Sequence, residues 1–119
     1  MKEYFVISVN HTARMDKYIL LWRPNNAGYC YRTEIAGRYS EDGINNSLNY
    51  YNSGDGTVSV PTEILEKLTE KSQPGYLDTA GMIVKNNAKN WNVIKANLIQ
   101  KPKHNVHPEY RGAPRRKAA

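Results

Sequence analysis

The chain has 119 residues, 39% of them hydrophobic and 24% charged, with a formal net charge of +6. That is enough chain for one domain with its own core, and the composition excludes disordered and fibrous classes. A single cysteine, Cys30, excludes an internal disulfide and fits a reducing compartment. No apolar run approaches the roughly 20 residues that span a bilayer, and the first ten residues are too short, and too acidic at Glu3, for a signal peptide. The expectation is a cytoplasmic protein with no membrane contact.

Tyr4 to Val9 reads as the first strand. Phe5, Ile7 and Val9 face one way and Tyr4, Val6 and Ser8 the other, so both faces are largely apolar and the strand is expected at the centre of a sheet. His11 to Asp16 is a polar connection. Lys17 to Arg23 is a second strand ended by Pro24, and Asn25-Asn26-Ala27-Gly28 supplies a tight turn. Tyr29 to Ile35 alternates as a third strand, completing a meander. Ser40 caps a weak helix over Glu41 to Tyr51, weakened by Gly43 and its asparagines. Asn52 to Gly56 is a turn cluster, and Thr57 to Val60 a short β-branched strand.

Thr62 opens a better helix through Ser72, with Ile64, Leu65 and Leu68 on one side. Gln73 to Gly81 reads as a loop around Pro74-Gly75, and Met82 to Lys85 as a last strand. Asn86-Asn87 opens a final helix to about Gln100, with Ala88, Trp91, Ile94 and Leu98 on one face. The order predicts an α+β fold: an antiparallel sheet, with a mixed sheet as the alternative, built on the N-terminal meander and covered by two or three helices. The domain is expected over residues 1–100, with residues 101–119 a basic, proline-containing tail.

That tail carries most of the charge. Lys101, Lys103, Arg111, Arg115, Arg116 and Lys117 face a single acid, Glu109, a net +5, against +1 for the first hundred residues. With prolines at 102, 108 and 114 and few apolar residues it is expected to be disordered alone. A basic arm on a nearly neutral body suggests a polyanionic or acidic partner, with affinity falling steeply with salt. The bland alternative is a solvated terminus.

Nine tyrosines against one phenylalanine form the other bias. Tyr29, Tyr31, Tyr39, Tyr50 and Tyr51 interleave with Arg32 and Arg38, which suits interface anchors or base-stacking platforms; core tyrosines with satisfied hydroxyls are the alternative. Tyr39 with Tyr50 or Tyr51 are expected to be exposed.

Catalytic signals are thin. His11 is a weak candidate for a general base, with Asp16, Arg14 or Arg23 nearby in sequence, but a turn histidine is the preferred reading. His104 and His107 lack the further ligands a metal needs. Cys30 reads as buried, not nucleophilic. Gly54-Asp55-Gly56 lacks the remainder of a phosphate-binding loop. No metal site and no cofactor are expected, and no catalytic residue beyond His11 is singled out.

The phrases ISVNHT, YILLWRPNNAGY, AGRY, YYNSGDGTVSVP and NNAKNW, spread over Tyr4 to Trp91 and excluding the tail, resemble small accessory proteins encoded by bacteriophages and prophages. The resemblance implies a context and no catalytic residues: action on machinery in the cytoplasm of a bacterial host, anti-CRISPR and other counter-defence inhibitors among the forms it takes. The expectation is a non-enzymatic protein that binds nucleic acid or a host nucleoprotein or acidic protein surface. Its binding residues would be Lys101, Lys103, Arg111, Arg115, Arg116, Lys117, Arg32, Arg38, Tyr39, Tyr50 and Tyr51. The alternatives are a small nucleic-acid-processing enzyme using His11, and a phage structural or assembly protein.

Overall fold

A computed structural model of the chain describes residues 2–73 and 81–115. The Pro74-Gly75 loop and the tail cations Arg116 and Lys117 lie outside the described residues. The fold is α+β with antiparallel sheets.

Strand β1 (Glu3–Ser8) is central, and five of its six residues are buried. Five paired positions, from Tyr4–Pro61 to Ser8–Thr57, join it to β5 (Thr57–Pro61). Its other edge is shared: β2 (Leu21–Trp22) pairs at Ile7, and β4 (Tyr39–Ser40) pairs at Glu3 and Tyr4. β3 (Tyr29–Cys30) pairs with β2. Alternation along β1 therefore behaves as the sequence predicts. Phe5 and Ile7 join Val58, Val60, Leu21, Ile19, Leu65, Val84, Trp91 and Ile94 in one core, while Tyr4, Val6 and Ser8 are buried on the opposite side. Each such fully buried large side chain contributes about 1.5–3 kcal/mol.

Strands β1, β2 and β3 are successive antiparallel neighbours, but β2 and β3 are two residues each, and the sheet's longest ladder among the described residues is β1–β5. The predicted strand over 17–23 forms only at Leu21–Trp22. Upstream, the chain turns to the other sheet: Ile19 N donates to Val84 O at 2.9 Å, Asn86 N donates to Lys17 O at 2.9 Å, and Tyr18 bridges Lys85. The predicted third strand ends at Cys30, since Thr33 N donates to Met82 O at 2.9 Å and Gly37 N to Trp22 O at 2.8 Å. Every pairing of these strands is antiparallel, so the mixed sheet is not adopted.

Helices are shorter than predicted. Ser40 does cap one, its Oγ accepting from Gly43 N, but the helix breaks into α1 (Glu41–Asn45) and α2 (Leu48–Tyr51). Helix α3 (Thr62–Glu66) stops well before Ser72, and its N-cap is Pro61, not Thr62. Residues beyond it form β6 (Thr69–Lys71), which pairs with β7 (Met82–Val84) as a separate two-stranded sheet. Helix α4 (Ala88–Ala96) buries Asn90, Trp91 and Ile94, and the Asn87 side chain caps it by accepting from Asn90 N. No helix among the described residues is long and apolar enough to cross a membrane.

The disorder expected of the tail is corrected for residues 101–115, which run back across the body as an irregular strap. Ile99 N donates to Ser59 O and His104 N to Ser53 O, both at 3.0 Å. Val106 and Tyr110 pack on the core, and Ala113 is buried. Local composition gave no sign of this, because polar anchors from distant segments hold the strap.

Candidate nucleic-acid interface

Two surfaces collect the residues that matter, and one loop joins them. The first is a cavity of about 540 Å³ between the loop after β1, the β6–β7 sheet and the strap. Arg14 and Lys17 reach it from the loop, Lys71 from β6, Lys85 from the end of β7 and Arg111 from the strap. Asp16 and Glu70 are the acids in its lining. Lys85 Nζ lies 3.4 Å from a Glu70 oxygen, with both side chains about half exposed, an arrangement that contributes little to stability. Lys17 donates to Gln73 Oε1 at 2.7 Å. Lys71 and Arg111 are exposed, with no carboxylate partner among the described residues.

Arg14 is the best-held of the five. Its Nε donates to Glu109 Oε1 at 2.9 Å, and Nη1 donates to the carbonyls of Tyr110 and Ala113. Nη2 is buried with no acceptor. A buried guanidinium nitrogen left in that condition costs about 1–3 kcal/mol or more.

The second surface is an aromatic strip on the sheet face opposite the main core. The Trp22 ring meets Tyr39, Tyr50 and Tyr51 edge-on, with centroids 6.5, 5.3 and 5.8 Å away. Tyr50 and Tyr51 meet at 5.1 Å, and His11 lies against Tyr29 at the same centroid distance. Tyr29 is the cross-strand partner of Trp22, so the two groups share one face. Tyr50 is 55% exposed and Tyr29 42% exposed, whereas Trp22 is buried with its indole N–H unpartnered.

Tyr39 and Tyr51 are braces. The Tyr39 hydroxyl donates to Arg23 O and accepts from Asn26 N, and the Tyr51 hydroxyl bonds the Asn26 amide at 3.2 Å. They hold a turn in which Asn25 and Asn26 both take the left-handed conformation, φ 60° and 58°. Two such residues in succession, neither of them glycine, cost of the order of 1–3 kcal/mol each unless their surroundings fix them. Burial raises the Tyr39 hydroxyl pKa, opposed by its backbone hydrogen bond to Asn26, with Tyr51, Tyr50 and Cys30 adding smaller upward contributions.

The predicted site residues therefore scatter. Arg111 joins the cavity, but Lys101 lines a separate concavity with Lys95 and His104, and Lys103 and Arg115 are exposed elsewhere on the strap. Arg32 packs over Gly81, and Arg38 lies over the Phe5 ring, paired with Glu66 at 2.9 Å. Tyr39 with Tyr50 or Tyr51 is expected at the surface; Tyr50 is exposed, and Tyr39 and Tyr51 are half-buried. The sequence reading missed Lys17, Lys71 and Lys85 because they are far apart in the chain, and Lys17 and Lys71 each adjoin an acid, Asp16 and Glu70.

His11 has the neighbours of a turn residue. Its Nδ1 lies 3.1 Å from Ser8 Oγ and 3.4 Å from the Tyr29 hydroxyl. The groups considered as its catalytic partners point elsewhere: Arg14 to Glu109, Asp16 to Ala13 N at 2.8 Å, and Arg23 to Tyr29 O at 2.9 Å. Cys30 is buried, and burial pushes its thiol pKa up, against the lowering influence of Arg23 and Arg32. Among the described residues no group of three or more His, Cys, Asp or Glu side chains is placed to hold a metal ion. No protein-family model, curated protein or solved structure matches the chain.

Proposed function

We propose that the chain is a non-enzymatic, phage-type accessory protein that binds nucleic acid, free or within a host nucleoprotein complex. Covering that surface in the manner of an anti-CRISPR inhibitor is its most concrete role. The observation that supports this is the folded strap. It carries Arg111 across the body to Lys17, Lys71 and Lys85, which gathers five cations around one cavity. The same loop that supplies Arg14 and Lys17 begins at His11, on the aromatic strip. Three residues of chain span at most about 10 Å, so the backbone of His11 on the strip lies within that distance of Arg14 at the cavity.

Fluorescence anisotropy with labelled single- and double-stranded oligonucleotides tests the reading. Binding at low salt that weakens steeply as salt rises supports it, since each neutralised phosphate adds about −0.7 to the logarithmic salt slope for single strands. Replacing both Lys71 and Arg111 with Glu should lower affinity at least tenfold and flatten that slope. No binding of either oligonucleotide at low salt overturns the reading. A pulldown from bacterial host lysate, with and without nuclease, then separates free nucleic acid from a nucleoprotein complex.

A further inference from the structure

We infer that the cavity is a site for a phosphate monoester, the terminal phosphate of a nucleic acid strand or of a mononucleotide. The inference rests on the nucleic-acid reading and narrows it to one chemical group. A surface that merely tracks a backbone needs cations spaced along a groove. Here they converge instead, from four segments, on a single concavity of about 540 Å³, within the range of small-ligand sites.

Charge decides between a phosphodiester and a monoester. The five cations face Asp16 and Glu70 in the lining, and Glu109 is held by Arg14 just outside it. Arg14 is paired with Glu109 and Lys85 with Glu70, and Lys71 and Arg111 bring two positive charges that have no carboxylate partner among the described residues. A phosphodiester carries one negative charge, whereas a phosphate monoester carries about −1.5 to −2 at neutral pH, with three acceptor oxygens. Lys71 and Arg111 supply unneutralised donors, and Lys85 can exchange a weak surface pair for a stronger one. Arginine's planar fork suits two phosphate oxygens at once. Asn86 and Asn87 line the same cavity at the start of α4, whose first-turn N–H groups add partial positive charge to the phosphate's surroundings.

The test titrates the full chain by calorimetry with AMP and with adenosine, and with one single-stranded oligonucleotide carrying either a 5′-phosphate or a 5′-hydroxyl. Because strand polarity is open, a 3′-phosphorylated strand forms a parallel arm. The expected result is at least tenfold tighter binding of AMP than adenosine, and of one phosphorylated end over its hydroxyl counterpart. Inorganic phosphate should displace AMP. Lys71→Gln and Arg111→Gln, both at exposed positions, should each remove at least fivefold of the preference while leaving the urea midpoint in place. If phosphorylated and hydroxyl strands bind alike, the monoester site is overturned and nucleic-acid binding stands. AMP binding that neither variant weakens overturns the cavity as its location. If AMP binds but no oligonucleotide does, the site holds and the nucleic-acid reading falls. If nothing binds, both fall.

Discussion

Trp91 donates its indole N–H to Asn86 Oδ1 at 2.6 Å, and the Asn86 amide nitrogen in turn lies within 3.0–3.2 Å of the carbonyls of Ala13, Asp16 and Glu109. One buried asparagine thereby ties the helix α4 core residue to the loop after β1 and to the C-terminal strap. These are also the segments that bring Arg14 and Arg111 to the cavity. Asn86→Ala leaves the Trp91 donor buried and unpaired and frees three carbonyls. The expected loss is about 2–4 kcal/mol, the upper range for one buried hydrogen-bond hub. Urea unfolding measures it, and a loss under about 1 kcal/mol would show that water substitutes for the side chain.

Gly54 fixes where the strap crosses. Its φ is +96°, and a Cβ there would fall on the His104 carbonyl oxygen and touch Pro102. Gly54→Ala therefore combines left-handed strain with a backbone collision that only movement of the strap relieves. The His104 N–H, bonded to Ser53 O, should lose hydrogen-exchange protection, and cleavage should appear within residues 101–110 under limited proteolysis. Protection equal to the wild-type protein's would show that the turn, not the strap, yields.

How much of this was legible depended on whether the relevant partner lay nearby in sequence. The burial of both faces of β1, a turn at Asn25–Gly28, the Ser40 cap and the Trp91–Ile94 face of α4 all follow from local pattern, though the left-handed conformation of Asn25 and Asn26 does not. Strand β6 was hidden because Thr69–Lys71 continues a helical pattern, and only pairing with Met82–Val84 makes it extended. The strap was hidden for the same reason. Its low apolar content predicts disorder, but Arg14, Ser53, Gly54 and Asn86 each hold or accommodate it from more than 20 residues away. The cavity's cations carry no spacing signal at all, so their convergence is a property of the fold.

Stability should fall at alkaline pH. Burial raises the pKa values of the Cys30 thiol, the Tyr4 hydroxyl and the Tyr39 hydroxyl, so each holds its proton more tightly folded than unfolded. The native state then binds more protons than the unfolded chain, and stability decreases as pH rises. The contribution is complete below the ordinary pKa values, 9.0 for the thiol and 10.0 for the hydroxyls, and is lost as pH climbs through the raised ones. Urea midpoints should be flat through neutral pH on account of these groups and drop above about pH 9. Cys30→Ser should remove the thiol's part of the decline, and an unchanged profile would assign it to the tyrosines.

His11→Ala separates binding from catalysis. The ring contacts Tyr29 and Ser8, so its loss should weaken nucleic-acid affinity by no more than about tenfold, as expected for one partial stacking contact. Any turnover of a nucleic acid by the wild-type chain that this variant abolishes would favour the enzymatic alternative instead.

Tyr50 and Tyr51 are adjacent and touch the same Trp22 ring, yet they should behave oppositely when changed. Tyr50 is 55% exposed, and among the described residues its hydroxyl has no partner. Tyr51 is half-buried and its hydroxyl braces Asn26. Tyr50→Ala should cost little stability, below about 1 kcal/mol, because the side chain remains largely in water. It should weaken oligonucleotide binding by about 1–3 kcal/mol if a base stacks there. Tyr51→Phe keeps the ring and removes only the bond to Asn26, so it should lower stability by about 0.5–1.5 kcal/mol with little effect on affinity. Trp22 reports on both, because its emission depends on the rings packed against it, whereas Trp91 lies in the opposite core. Oligonucleotide quenching of Trp22 emission that survives in Tyr51→Phe and disappears in Tyr50→Ala would place the bound base on this strip. Equal quenching in both variants would remove the strip from the interface and leave the cavity as its sole anchor.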